Sequence, residues 1–184
     1  MQRTIDQAFL DLREQIGHWA RAAARPDVRF FVYPPEWEAL VLARFPAFVE
    51  TCAQDGRPVS LLDVGQGFLS EVDRRRGFVE RLTEMERRDP HWVLHDLGEI
   101  AARYLTRLLT APLEPPAVGR ILINTGTLGT FVSYSAVTND LQGSPASAGG
   151  VQAPAVLAFP GEGDERSLSL LGLRRDTNYR APRV

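Results

Sequence analysis

Over much of the chain, apolar residues recur at the three- and four-residue intervals that place them on one face of a helix. The first such stripe follows Thr4 and overlaps Gln7, and these two polar residues have the spacing of a capping box. The stripe consists of Ile5, Phe9, Leu12, Ile16 and Trp19. We therefore predict an amphipathic helix whose apolar face packs against its own domain.

Further segments with helical spacing are delimited by prolines. Pro34 and Pro35 suit the first turn of a second helix, which Pro46 is expected to interrupt or to restart near Phe45. Pro90 is expected to end one helix and precede another. These predicted helices cover residues 36–45, 70–89, 94–108 and 134–141.

Shorter apolar runs are predicted to be strands, because proline, glycine or aspartate bounds them and they are too short for helices. They cover residues 28–33, 59–64, 120–125, 155–160 and 168–173. Runs that are apolar at successive positions are typical of strands buried on both faces. Their alternation with helices predicts an α/β fold of three layers, a mainly parallel sheet of about five strands with helices on both faces.

Length and composition predict a single domain, since 184 residues with 44% apolar side chains suffice for one core. Residues 142–154 are mostly Gly, Ser, Ala and Pro, which predicts a mobile surface loop, and residues 161–165 are expected to form an acidic turn. No apolar run is long enough to cross a membrane and no secretory signal is visible, so we expect a cytoplasmic protein. The single cysteine, Cys52, agrees with a reducing compartment.

The chain contains no lysine, and all 21 of its basic residues are arginine. This absence disfavours three classes of site: the P-loop, the Schiff-base lysine and the PD-(D/E)xK nuclease centre. The sequence also lacks a G-x-S-x-G elbow and a recognisable serine, histidine and acid arrangement. We therefore predict no catalytic residues and a protein that is not an enzyme.

One turn has the composition of an anion-binding loop, and it follows the predicted strand 120–125. Its residues are Thr125, Gly126, Thr127, Leu128, Gly129 and Thr130. Backbone N–H groups in such a turn can hold a phosphate when a helix follows. Without a lysine, the favoured interpretation is a tight backbone connection, because glycine also permits unusual dihedral angles. No cofactor is predicted.

Two groups of residues resemble metal ligands in type. His91 and His95 share a helical face beside Asp96, but Trp92 replaces the glutamate of a zinc-protease helix. His91, next to Pro90, is interpreted instead as a helix-start residue. The carboxylates at predicted strand ends are Asp63, Glu162, Asp164 and Glu165. These are interpreted as solvated surface groups, so no metal site is predicted.

The C-terminal tail carries arginines that suit contact with phosphate, RNA or protein. They are Arg174, Arg175, Arg180 and Arg183, interleaved with Tyr179 and Asn178. Because the formal net charge is −2 and acidic residues lie nearby, a protein contact or a solvated edge is favoured, and direct nucleic-acid binding is not expected.

Several segments, taken in order, resemble the BrxB family of bacterial BREX phage-defence systems. The C-terminal part carries an apolar strand that runs into Phe159, Pro160 and Gly161. A Leu-Ser-Leu-Leu-Gly strand follows, and then the ending Asn178, Tyr179 and Arg180. Earlier segments, 30–36 and 123–132, resemble the family's strand ending in Y-x-P and its T-G-x-G turn. The chain departs from the family pattern at Gly129, where the second glycine of the turn is displaced, and in the long 142–154 loop.

The resemblance implies a non-catalytic adaptor or scaffold subunit that binds a PglZ-like partner of the alkaline-phosphatase superfamily. It implies that residues 159–161 and 178–180 form a family-like interaction segment. Two alternatives remain open at this point: a degenerate nucleotide-binding regulatory domain using the 125–130 turn, and a nucleic-acid binder using the arginine tail.

Overall fold

The computed structural model describes residues 4–21, 27–76, 79–143, 150–163, 167–170 and 174–177. The strands in these ranges are β1 Val28–Tyr33, β2 Ser60–Asp63, β3 Arg120–Ile123, β4 Ala155–Gly163, β5 Ser167–Leu170 and β6 Arg174–Thr177. Strands β2, β3, β4 and β1 lie side by side in that order and run parallel. The far end of β4 pairs with β5, and β5 pairs with β6, in an antiparallel ribbon.

Helices cover both faces of the parallel sheet. They are α1 Ile5–Arg21, α2 Glu38–Gln54, α3 Val64–Arg76, α4 Val79–Arg88, α5 Pro90–Thr110, α6 Gly126–Gly129 and α7 Tyr134–Gly143, with a 3₁₀ turn at Pro35–Trp37. One buried core joins α1 and α2 to the sheet, and a second joins α3, α5 and α7 to its other face. The predicted three-layer α/β fold is therefore confirmed.

Alternation along the central strands supplies both cores. Successive side chains of a strand point to opposite faces of the sheet. In β1, Phe30 packs with the α3 and α5 side, whereas Phe31 and Tyr33 pack with α1 and α2. In β4, Leu157 packs with the α3 and α5 side and Ala158 packs with α1 and α2. A strand covered on both faces must be apolar throughout, which is why the runs are visible in the sequence.

Two predicted helix boundaries were wrong. Helix α2 continues through Pro46 to Gln54 instead of being interrupted. Pro46 is exposed while Phe45 and Phe48 are buried, so packing of the apolar face maintains the helix despite the missing hydrogen bond. Helix α3 begins at Val64 and not near residue 70, because Asp63 caps it by accepting a hydrogen bond from the Gln66 N–H at 2.9 Å.

Predictions for the C-terminal third also need correction. Residues 161–163 belong to β4 and not to an acidic turn, and residues 174–177 of the predicted tail form β6. Residues 142 and 143 end α7, and Val151 and Ala153 are buried. The mobility of the 142–154 segment stays a prediction. Residues 144–149 lie outside the described residues.

Arg120, at the start of β3, joins the sheet to the end of α5. Its buried guanidinium donates to the carbonyl oxygens of Leu108 and Ala111, where a helix leaves its last carbonyls without partners. Burial lowers the pKa of the Arg120 guanidinium from its usual value. This cation therefore has a structural role at a helix terminus.

Candidate protein-interaction site

The carboxyl edge of the parallel sheet, where α/β proteins commonly bind ligands, is occupied by internal hydrogen bonds. Asn124 follows β3 with a φ of 57°, and its side-chain amide donates to Asp63 Oδ2 at 2.7 Å. The other Asp63 oxygen accepts from the N–H of Gln66. Both oxygens of this carboxylate, which resembles a metal ligand in type, are thus engaged in holding β2, β3 and α3 together.

The predicted anion turn is built into the core. Thr125 is buried, its hydroxyl donates to the Ala158 carbonyl at 2.5 Å, and its own carbonyl accepts from the Tyr134 hydroxyl. Gly126 lies against Pro160, whose Cγ would be 3.2 Å from a Cβ at position 126. Gly129 is also buried, whereas Thr127 and Thr130 are exposed. This geometry is that of a tight backbone connection, the interpretation favoured from the sequence. The Thr125 hydroxyl is already bonded to the Ala158 carbonyl.

Three residues of the predicted interaction segment are also internal. Phe159 is buried and its ring meets those of Phe30 and Tyr134, with centroids 5.9 and 5.7 Å away. Pro160 and Gly161 are buried as well. These three residues therefore contact their own domain in this structure, and their part in an interaction segment stays a prediction. Residues 178–180, the remainder of that segment, lie outside the described residues.

The segments that carry the family resemblance nevertheless meet in space. Phe30 belongs to segment 30–36, Thr125 to segment 123–132 and Phe159 to the C-terminal apolar strand. Tyr134 contacts all three residues. In this arrangement the motif residues shape the edge of the sheet.

The histidine pair lies on the first turns of α5, as the interpretation of His91 as a helix-start residue expected. Asp89 caps this helix by accepting from the Trp92 N–H at 3.0 Å. His91 and His95 are exposed, and His95 Nε2 lies 3.5 Å from Glu99 Oε1. In the described ranges, no group of three or more His, Cys, Asp or Glu residues is placed to hold a metal ion.

The remaining sequence candidates fall in two places. Glu162 lies in β4, and Arg174 and Arg175 lie in β6. Residues 164, 165, 180 and 183 lie outside the described residues. Cys52 is buried, and burial raises the pKa of its thiol to about 11, so the thiol is protonated and poorly reactive at neutral pH.

A surface groove with a volume of about 340 Å³ lies between α1 and α2. We call it the α1–α2 groove; it is lined by Asp6, Phe9, Leu10, Arg13, Arg44, Ala47, Phe48 and Thr51. Phe9 and Phe48 form its buried base, with ring centroids 5.2 Å apart. Leu10 is 53% exposed at its edge. An apolar side chain of a partner could contact the rings of Phe9 and Phe48 and the side chain of Leu10 here.

Ion pairs between the two helices fix the charged margins of the groove. Arg44 contacts Asp6 at 2.5 Å, and its guanidinium carbon lies 4.8 Å from the centre of the Phe9 ring. Arg13 forms a two-pronged contact with Asp55, at 2.8 and 2.9 Å. In each pair the arginine contacts a carboxylate of the other element. The groove therefore has charges of both signs at defined positions.

A second depression adjoins the first. It has a volume of about 450 Å³ and shares Leu10 and Arg13 with the α1–α2 groove. Its lining is more polar and includes Gln7, Glu14, Asp55 and Arg57. Leu10 thus stands between two concavities on the outer face of α1.

Sequence reasoning did not identify this site. The apolar stripe of α1 was assigned to the core, which is correct for Leu12 and Ile16, but Leu10 lies off that stripe. The ion pairs join residues 38 and 42 positions apart, so no local spacing reveals them. An exposed leucine between aspartate and arginine on a predicted helix was the available signal.

No family model, no curated protein and no solved structure matches the chain. Within the part of the chain that is described, no helix is long and apolar enough to cross a membrane. The geometry of the described residues and the sequence resemblance are therefore the basis for a functional proposal.

Proposed function

We propose that this protein is a non-catalytic adaptor that binds another protein through the α1–α2 groove, as a subunit of a bacterial BREX anti-phage defence system. The observation that carries the proposal is the exposed Leu10 beside the aromatic base of Phe9 and Phe48, between two fixed arginine–carboxylate pairs. The partner proposed is a PglZ-like protein of the alkaline-phosphatase superfamily.

A helical segment of the partner suits the shape and chemistry of this surface. Amphipathic helices bind grooves by placing apolar residues from successive turns against an apolar floor. Two adjoining concavities that share Leu10 offer room for successive side chains. Asp6, Arg13 and Arg44 at the margins can contact charged residues of that helix and fix its direction.

The groove has the features of an interaction hot spot. Such centres combine aromatic residues and arginines with an apolar pocket, and surrounding contacts exclude water. The groove has this combination, because the Arg44 guanidinium packs over the Phe9 ring. The same guanidinium is paired with the Asp6 carboxylate. Little side-chain freedom is then lost when a partner binds.

The identity of the partner and of the defence system is supported by the sequence resemblance. Five segments carry it, and residues of three of them meet around Tyr134. The groove lies on α1 and α2, outside those segments.

The proposal is tested by co-expressing the chain with the PglZ-like protein encoded beside it and purifying through a tag on one of them. Leu10→Gln removes an apolar contact at the groove without changing charge. Burial of a leucine contributes about 1.5–3 kcal/mol, so affinity should fall roughly tenfold to a hundredfold. Calorimetric titration with the purified partner measures the dissociation constant of the wild-type chain and of the variant.

Leu40→Gln is the matched control. Leu40 is 57% exposed on α2 and does not line the groove, so its replacement should leave affinity unchanged. Equal effects of the two substitutions, or a wild-type chain that captures no partner, would argue against the groove as the binding site.

A further inference from the structure

An arginine cluster lies on the opposite side of the sheet, on α3 and α5. Arg74, Arg75 and Arg107 surround the carboxylate of Glu71. Glu71 Oε1 accepts from Arg74 at 2.9 Å and from Arg75 at 2.6 Å, and Oε2 accepts from Arg107 at 3.0 Å. The Glu71 side chain is only 6% exposed, whereas Arg74 and Arg107 are largely exposed.

This cluster carries an excess of positive charge. Three guanidinium groups face one carboxylate, which leaves a net charge of +2. Among the residues whose side chains are described, no second carboxylate lies within ion-pair distance of these arginines. Hydrogen bonds from Arg75 and Arg107 hold the pKa of Glu71 at about 2, so this carboxylate contributes one full negative charge at neutral pH. The excess is therefore permanent under physiological conditions.

The buried carboxylate also orients the arginines. Each guanidinium has several N–H donors, and Glu71 uses the minority of them. Arg107 is further held by the Tyr104 ring, whose centre is 5.4 Å from the guanidinium carbon. Donors that are already oriented lose little freedom when they bind an anion.

We propose that the arginine cluster is a second interaction surface, which binds an acidic segment of a protein partner through carboxylate–guanidinium contacts. Side-chain carboxylates match the paired N–H donors of arginine in geometry and charge. The cluster and the α1–α2 groove lie on opposite faces of the sheet, so this proposal stands or falls independently of the groove.

An acidic peptide fits this surface better than nucleic acid does. Nucleic-acid affinity depends on many phosphate contacts along a continuous basic track. Here the neighbouring Arg103 on α5 is already paired with Glu99, and the chain as a whole carries a net charge of −2. A short run of aspartate or glutamate needs only the few donors that the cluster offers.

The test is a fluorescence-anisotropy titration of the full chain against a labelled glutamate-rich peptide at low ionic strength. The double substitution Arg74→Gln with Arg107→Gln removes two cluster charges and leaves Arg75 to pair with Glu71. We expect it to weaken binding about tenfold, and we expect added salt to weaken wild-type binding.

The control double substitution is Arg88→Gln with Arg103→Gln. These exposed arginines each pair with one glutamate on their own helix, so the change in net charge is the same but the cluster is intact. Peptide affinity should change by less than about twofold. If the first double variant unfolds, Arg74→Gln alone should weaken binding about threefold.

Equal loss in target and control variants would overturn the proposal, because net charge alone would then explain binding. Tighter binding of a single-stranded oligonucleotide than of the peptide, with loss in the cluster variant, would also overturn it in favour of nucleic acid. No detectable binding of the peptide by the wild-type chain would overturn it as well.

Discussion

At the scale of single residues, Gly67 and Tyr104 show how closely α3 and α5 approach each other. A Cβ atom at position 67 would lie 1.9 Å from the Tyr104 hydroxyl oxygen and 3.0 Å from Cζ. Alanine inside a helix is ordinarily more stable than glycine by about 0.5–1 kcal/mol. Steric overlap and helix propensity therefore act in opposite directions here, and overlap at 1.9 Å dominates.

We predict that Gly67→Ala destabilises the protein by about 1–3 kcal/mol, the range for overpacking. Adding Tyr104→Phe should recover part of this loss, because the nearest ring atom is then the carbon at 3.0 Å. Urea unfolding of the two single variants and the double variant gives the coupling free energy. A Gly67→Ala variant more stable than the wild type would show that the ring moves away freely.

Glu71 links stability to acidic pH. Its pKa is lowered from 4.5 to about 2, first by the hydrogen bond from Arg75 and then by that from Arg107. A depressed carboxyl pKa contributes stability above the unfolded-state value, and that contribution is lost as pH falls toward the folded-state value. The window is therefore pH 4.5 down to about 2.

We predict that Glu71→Gln lowers the free energy of unfolding at neutral pH and flattens its decline through that window. Glutamine cannot neutralise the three arginines, so their mutual repulsion is unopposed in the variant at every pH. Urea unfolding at a series of pH values measures both effects. Parallel pH profiles for the two proteins would contradict the assignment to Glu71.

At the scale of elements, α2 shows that packing can outweigh a local break. Pro46 lies inside this helix and is exposed, while Phe45 and Phe48 are buried on the other side. We predict that Pro46→Ala stabilises the protein by about 1–3 kcal/mol, because a backbone N–H is restored and no packing is lost. Thermal unfolding measures the change. Lower stability would indicate that reduced freedom of the unfolded chain is the larger effect of Pro46.

Elements differed in how far they could be predicted from sequence, for physical reasons. Strand β1 was predicted with its observed bounds because Phe30 and Phe31 must each be buried on a different face. The start of α3 was missed because Gly65 and Gly67 resemble a turn, whereas they allow close approach of Asn124 and Tyr104. Strand β6 was missed because its polar residues show no apolar alternation and it is held by backbone pairing with β5.

At the scale of the whole molecule, the candidate surfaces depend on contacts that sequence spacing does not reveal. Arg13 meets Asp55 only because α1 and α2 share one face of the sheet. Arg107 meets Glu71 only because α3 and α5 share the other. The three layers follow from local hydrophobic patterns, but the pairing of charged residues requires the packed arrangement of helices.

The two surfaces lie on opposite faces of the sheet, an arrangement suited to an adaptor that holds two protein segments at once. Phe31 and Ile121 line one core and Phe30 and Leu122 the other, so the sheet itself separates the sites. Distant sites without shared contacts usually act additively. We predict that Leu10→Gln weakens partner capture without changing affinity for the acidic peptide, and that Arg74→Gln with Arg107→Gln does the reverse. Calorimetry measures partner binding and fluorescence anisotropy measures peptide binding on the same preparations. The two surfaces are independent if a variant that combines all three substitutions shows both losses of affinity unchanged in size. If a variant of one surface changes the affinity of the other surface by more than about tenfold, the two surfaces are coupled through the sheet.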